Sequence, residues 1–484
     1  MDWWNEAVIG VKYVSTRGEA PELGFCDAIL AGLANDGGLY VPKEWPTLSD
    51  EQIAALAGKS YSDIAYAVMK PYVEGEIPDE TFRTMIDEAY GAFRHQAVVP
   101  LVQTGANEFI MELFHGPTLA FKDVAMQLLA RMMDFVLAQR SAKATIVGAT
   151  SGDTGGAAIE AFRGRSNTDI FILFPEGRVS PVQQRQMTSV LDDNVHCIAL
   201  KGHFDDCQAI VKDMFGHKGF KDTVALSGVN SINWGRIMAQ VVYYFTSALS
   251  LGAPYRQVSF TVPTGNFGDI FAGFVAKQMG LPIDKLIIAT NQNDILARAL
   301  ESGSYEVKGV TPSASPSMDI QVSSNFERLL FELHGRDSEA VKRMMSGLKQ
   351  SGSFTIADKP LGRLRKGFSA DRASEAETAA TIKDVLETTG YLMDPHTAVG
   401  VHVARKHNRQ SCDCCSAESP MVVLSTAHPA KFPAAVEEAS GQYPDLPLWL
   451  SELMDREEKF DVLENSIEDV EAFILKHARA AQKT

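Results

Sequence analysis

With 484 residues, 45% hydrophobic and 22% charged, the chain has length for two or three domains and apolar content for large cores. A formal net charge of −16 repels phosphate backbones and anionic bilayers, so nucleic acid and membrane are excluded as expected partners. Six cysteines in so long a chain do not make a disulfide framework.

The start, Met1-Asp2-Trp3-Trp4-Asn5-Glu6, has neither a basic nor an apolar targeting region, and later apolar runs stop short of a span. A cytoplasmic location is the expectation. The turn Asn35-Asp36-Gly37-Gly38 precedes stretches at 50–57, 62–69 and 78–90 that read as helices, giving an N-terminal helical segment over residues 1–95, packed on the main body.

Next comes His115-Gly116-Pro117-Thr118-Leu119-Ala120-Phe121-Lys122-Asp123, opening a helix whose core face is Val124, Leu128, Leu129, Met132 and Val136. Lys122 falls in its first turn, where the helix dipole disfavours a cation. Two readings stand: a lysine on a solvated face, offset by Asp123, or a nucleophilic amine that forms an imine with an aldehyde cofactor. The second requires an apolar pocket and nearby cations to keep the amine neutral.

From about Thr145 one theme repeats: a short β-branched strand, a small polar loop, then an amphipathic helix. Thr145-Ile146-Val147 leads into Gly148-Ala149-Thr150-Ser151-Gly152-Asp153-Thr154-Gly155-Gly156, which is either a flexible turn or a set of backbone donors around an anion. It lacks the lysine and hydroxyl of a Walker loop. The strand at 258–262 leads into Pro263-Thr264-Gly265-Asn266-Phe267-Gly268-Asp269, a second such cradle without the dinucleotide glycine spacing. Strands at 286–288 and 421–424 repeat the theme, the latter entering Ser425-Thr426-Ala427-His428-Pro429-Ala430-Lys431-Phe432. Such alternation predicts an α/β fold with parallel sheets, and ligands beyond the carboxyl ends of the strands.

Polar stretches at 310–316 and 409–420 read as loops. The second holds Cys412, Cys414 and Cys415, downstream of His402 and His407, but the spacing fits no paired zinc pattern, and no metal is expected. Cys26, Cys197 and Cys207 read as reduced thiols.

Taken together, the 115–123, 148–156, 263–269 and 425–432 segments closely resemble threonine synthase of the pyridoxal-phosphate family. The resemblance extends to Tyr13-Val14-Ser15-Thr16-Arg17-Gly18, Asn35-Asp36-Gly37-Gly38-Leu39-Tyr40-Val41-Pro42, Gly177-Arg178-Val179-Ser180-Pro181-Val182-Gln183 and Ser231-Ile232-Asn233-Trp234-Gly235-Arg236, so it covers nearly the whole chain in order. It implies a tryptophan-synthase β-like, fold type II architecture. A smaller α/β domain is expected over 96–245 and a larger over 246–484, with pyridoxal 5′-phosphate between them.

By the same resemblance Lys122 carries the cofactor as a Schiff base, Gly265, Asn266, Phe267 and Asp269 hold its phosphate, and Thr426 faces its ring nitrogen. Thr150, Ser151, Asp153 and Thr154 are assigned to the substrate, the loop receiving its carboxylate and Asp153 lying near the cofactor hydroxyl. Arg236 and Lys431 are candidates for the substrate phosphate, against ordinary ion pairing. His115 is left without a role.

The implied reaction converts O-phospho-L-homoserine and water to L-threonine and phosphate by γ-elimination and β-addition of water. Two alternatives remain: a related phospholyase giving 2-oxobutyrate, and a non-catalytic protein binding a phosphorylated metabolite. Assembly is expected to be a monomer or homodimer.

Overall fold

Runs of aliphatic and β-branched residues form two mainly parallel sheets, because strands covered by helices on both faces need no polar alternation. The computed structural model describes residues 10–410 and 419–482. Its larger sheet has six strands in the order Phe368–Arg372, Ile283–Thr290, Val258–Pro263, Met421–Ser425, Glu108–Glu112, Leu101–Gln103, parallel except for the last pair. A smaller, wholly parallel sheet runs Asp461–Leu463, Val195–Leu200, Thr168–Pro175, Ala144–Ala149, Leu226–Ser227.

The four strands anticipated after Thr145 lie inside Ala144–Ala149, Val258–Pro263, Ile283–Thr290 and Met421–Ser425. Glu108–Glu112 escaped notice because a carboxylate ends it on each side. The carboxylate of Glu108 is neutralised by Arg405 at 3.0 Å, a partner 297 positions away.

Sheet membership does not follow a cut at residue 245. Strands Leu101–Gln103 and Glu108–Glu112, within the span 96–245, join the larger sheet. The chain's return adds Asp461–Leu463 to the smaller sheet, and helix Ile467–His477 packs on the helix Phe204–Gly216 beside it. A linear division misses this exchange, since pairing follows exposed sheet edges and buried area rather than chain order.

The N-terminal segment contains the expected helices, at Asp50–Ala54, Tyr61–Val73 and Asp79–Tyr90. Ser49 and Ser60 cap the first two, accepting backbone N–H groups of Gln52 and Asp63. It also holds a short helix, Phe25–Ala31, and an antiparallel pair, Tyr13–Ser15 with Tyr40–Pro42. Asp36 organises the turn before the second strand, accepting from Gly38 N–H at 2.8 Å and Ser15 Oγ at 2.8 Å.

Helix Trp234–Ser250 ties these parts together. It packs against Tyr61–Val73, Lys122–Gln139 and Gly268–Gln278, so it is buried almost all round rather than on one stripe. Trp234 meets the rings of Tyr13, Trp45 and Tyr72 at 5.9, 5.9 and 5.6 Å.

Cys26, Cys197 and Cys207 are buried free thiols, pushed by burial up to about 12. The segment Met1-Asp2-Trp3-Trp4-Asn5-Glu6 and the Cys412, Cys414 and Cys415 cluster lie outside the described residues. Among the described residues no helix is long and apolar enough to cross a membrane.

Candidate active site

The carboxyl ends of strands from both sheets open on one cavity of about 970 Å3. Thr150 and Ser151 follow strand Ala144–Ala149, Thr264 to Asp269 follow Val258–Pro263, and Thr426 follows Met421–Ser425. Lys122, Thr154 and Arg236 share the wall, so ten of the eleven expected site residues line a single space. The eleventh, Asp153, lies beneath it, with its carboxylate 3.6 Å from Lys122 Nζ.

Lys122 begins the helix Lys122–Gln139, whose buried positions include all five anticipated core residues. Its first-turn location is unfavourable for a cation, and burial adds to that. Burial pushes the amine below the ordinary lysine range, Asp153 acts in the opposite sense, and Arg236 and Lys431 add to the lowering. A poised amine is the outcome, with a carboxylate at hand to stabilise its protonated form.

Asp153 opens helix Asp153–Phe162 behind Gly152, whose φ of 141° and closeness to Gln183 leave no room for a Cβ. Burial opposes its charge, but Lys431 at 3.1 Å, Lys122, His396 and Gln183, donating at 2.9 Å, hold the carboxyl far below its usual range. Thr150 Oγ1 accepts the N–H groups of Gly152 and Gly155, both at 2.9 Å. The oxygen of Thr150 thus fixes the turn, and its hydroxyl proton remains to donate.

The 264–267 loop is held from behind. Ser323 Oγ donates to Gly265 O at 2.6 Å, and the backbone and side-chain N–H of Asn325 donate to Asn266 O at 3.0 and 2.9 Å. Its carbonyls are therefore engaged, while the N–H groups of Gly265 to Asp269 have no protein acceptor among the described residues. Phe267, at φ 62°, caps helix Gly268–Gln278, and a Cβ on Gly265 would strike Ser317 O at 2.6 Å. Such converging donors at a helix N-terminus form an anion cradle.

Arg236 is 3% exposed, and burial brings its guanidinium down to about 10. One N–H bonds Val229 O at 3.3 Å, and Nε has no partner among the described residues. Lys431 is different, which corrects its candidacy for a substrate phosphate. It is fully buried, spends its ammonium on Thr118 O at 2.6 Å, Gln186 Oε1 at 2.8 Å and Asp153, and does not line the cavity. His115 points elsewhere, its Nε2 lying 2.7 Å from Glu112.

Asn230, Ser317 and His396 also line the cavity and were not singled out. Ser317 Oγ reaches Asp153 at 3.4 Å across 164 positions, and its N–H donates to His396 Nε2 at 3.2 Å. No local motif announces either contact.

Three family descriptions match the chain: "Threonine synthase N terminus" over residues 12–90, "Pyridoxal-phosphate dependent enzyme" over 98–426 and "Threonine synthase, C-terminal" over 397–474. A threonine synthase of Pseudomonas aeruginosa is 54% identical, spanning 96% of this chain and 98% of that protein. The crystal structure of a PLP-bound threonine synthase from Brucella melitensis superposes with a TM-score of 0.94 at 67% identity, covering 97% of this chain and all of the other. The yeast threonine synthase structure gives 0.91 at 42%, covering 96% and 98%.

Proposed function

This chain belongs to the threonine synthase family of pyridoxal-phosphate-dependent enzymes, and from that premise we propose that it converts O-phospho-L-homoserine and water to L-threonine and phosphate. One observation carries the reading: a weakened amine, two donor-rich loops and a buried guanidinium with an N–H unspent among the described residues all meet in one cavity.

The residues fit the cofactor. An aldehyde needs an amine, which Lys122 supplies, and a phosphate ester needs clustered donors, which the Gly265 to Asp269 loop offers. Thr426 would offer a neutral hydroxyl to a ring nitrogen; a hydroxyl, unlike a carboxylate, need not stabilise a protonated ring, which suits β-chemistry more than transamination. When bound, pyridoxal phosphate supplies an electron sink for the negative charge that develops on the substrate.

The chain's own groups do the rest. Lys122 takes the Cα proton, and Asp153, 3.6 Å away, stabilises the resulting ammonium. Thr150, Ser151, Thr154 and the N-terminus of helix Asp153–Phe162 orient the substrate carboxylate. Arg236 binds the departing phosphate, a cation in a low-dielectric wall being most effective where negative charge grows. A cytoplasmic setting belongs to the proposal, since the free buried thiols are kept reduced there.

The test is product analysis. Purified protein and Lys122→Ala are compared for visible cofactor absorbance, then incubated with O-phosphohomoserine. Threonine and phosphate in equal amounts, with absorbance and turnover lost in the variant, are expected. Release of 2-oxobutyrate would make the chain a phospholyase, and a colourless, inert wild type supplied with cofactor would leave only metabolite binding.

A further inference from the structure

Asp269 stands in the first turn of helix Gly268–Gln278, 8% exposed and on the cavity wall. Its two carboxyl oxygens are treated differently. Oδ1 accepts the hydroxyl of Tyr243 and that of Tyr244 at 3.1 Å, and the Tyr244 hydroxyl also lies 3.0 Å from Asp269 O. Oδ2 is buried and has no partner among the described residues. Both tyrosines are fully buried, so they cannot swing away to solvent.

A buried carboxylate oxygen without a donor is costly, and a phosphate in the adjacent loop would make matters worse by bringing further negative charge. The helix N-terminus favours an anion, but that contribution is smaller than the desolvation of an unpaired carboxylate. A proton on Oδ2 removes both conflicts, because a carboxylic acid donates where a carboxylate repels.

We propose that Asp269 is held as a carboxylic acid whose Oδ2–H donates to a phosphate-ester oxygen in the Gly265 to Asp269 loop, and that Tyr243 and Tyr244 are positioning residues that pin Oδ1 and leave Oδ2, buried beside the cavity, to make that bond. Burial supports this by pushing the carboxyl up to about 7, against the lowering effects of Tyr243, Tyr244 and, more weakly, Lys122, the groups that act on it. The inference rests on reading the loop as a phosphate site.

Binding, not turnover, tests it. The ligand is 4-deoxypyridoxine 5′-phosphate, which has no aldehyde, with 4-deoxypyridoxine as its phosphate-free control. Dissociation constants are measured from pH 7 to 9, where the ligand's phosphate stays dianionic, in apo-protein carrying Lys122→Ala so that titration of the ammonium cannot mimic the effect. Affinity for the phosphate ligand should fall by up to about tenfold per pH unit, one proton being required for binding.

Adding Asp269→Asn should keep the affinity and flatten the profile, since an amide donates at every pH. Adding Tyr243→Phe and Tyr244→Phe should weaken binding and move the fall to higher pH, because the lost hydroxyls favour the carboxylate. A flat profile with Asp269 in place, an Asp269→Asn profile as steep as its parent's, or an unmoved fall in the tyrosine variant would each overturn the proposal. If Asp269→Asn does not fold, the tyrosine variant decides alone. Equal affinity for both ligands would instead remove the phosphate-site reading, whereas a retained phosphate preference with a flat profile removes only the acid form of Asp269.

Discussion

Asp153 and Asp269 occupy equivalent places: each enters the first turn of a helix that follows a buried parallel strand and a glycine-bearing loop, and each is more than nine-tenths buried. Their electrostatics diverge. Asp153 sits among Lys431, Lys122 and Gln183 and is held far below the ordinary carboxyl range, while Asp269 meets mainly two neutral hydroxyls and is pushed up to about 7. Burial acts upward on both, so the sign is decided by whether distant parts of the chain deliver cations. The same local motif thus serves as a counter-ion on one side of the cavity and as a weak acid on the other.

The most severe way to break the contrast is to remove the charge that has partners. Asp153→Ala leaves the two ammonium groups of Lys122 and Lys431 without their shared carboxylate inside the protein. A loss of about 3–5 kcal/mol is expected, as for other buried pairs broken on one side, and it should appear as a lower urea midpoint together with poor cofactor loading. Lys431→Met should cost less, because Asp153 keeps Lys122 and Gln183. The double variant should be more stable than the sum of the single costs implies. If Asp153→Ala shifted the midpoint by less than about 1 kcal/mol, the value of an exposed pair, the pairing would not be the source of the low carboxyl pKa.

Proton linkage offers a gentler probe. Asp269 moves from an ordinary 3.8 in the unfolded chain to about 7 in the fold, so between those values the folded state holds the extra proton. Its contribution to stability falls as pH rises through that window, by a few kcal/mol in all at about 1.4 per unit. Asp153 works in reverse: its depressed pKa contributes stability present above 3.8 and lost as pH falls through its folded value. Apo Asp269→Asn should therefore gain on wild type in urea midpoint between pH 5 and 8, with the gap widening towards pH 7. Parallel midpoints across that range would show that the carboxyl is not raised.

Local physics explains how far the sequence could be read. Continuous apolar strands, glycine loops and helical periodicity are written in neighbouring residues, and those elements appear where the spacing puts them. Glu108–Glu112 was hidden because the partner that makes its first carboxylate tolerable in a sheet, Arg405, comes 297 positions later. The same limit covers Lys431, whose saturated ammonium depends on Thr118 and Gln186, 313 and 245 positions away. The gathering of the site residues around one cavity was legible through the family resemblance and through the rule that ligands sit beyond strand ends. That Lys431 is spent on internal bonds was not, because that depends on a hydrogen-bond count.

The smallest expected effect separates the neutral partners of Asp153. Gln183 donates from helix Pro181–Thr188 at 2.9 Å in a buried setting, and Ser317 donates at 3.4 Å from the 3-10 turn Pro316–Met318, only part-buried. Hydrogen bonds to charged groups contribute about 1.5–3 kcal/mol when well made and weaken steeply with distance. Gln183→Ala should accordingly cost roughly 1–2 kcal/mol, and Ser317→Ala a few tenths, with the second nearly silent in urea midpoint. Ser317 stays connected in other ways, since its N–H bonds His396 and its carbonyl closes over Gly265, and neither depends on the hydroxyl. A Ser317→Ala loss as large as that of Gln183→Ala would mean that the hydroxyl approaches Asp153 more closely than 3.4 Å, and that the negative charge on the cavity floor is held from the larger sheet as firmly as from the smaller.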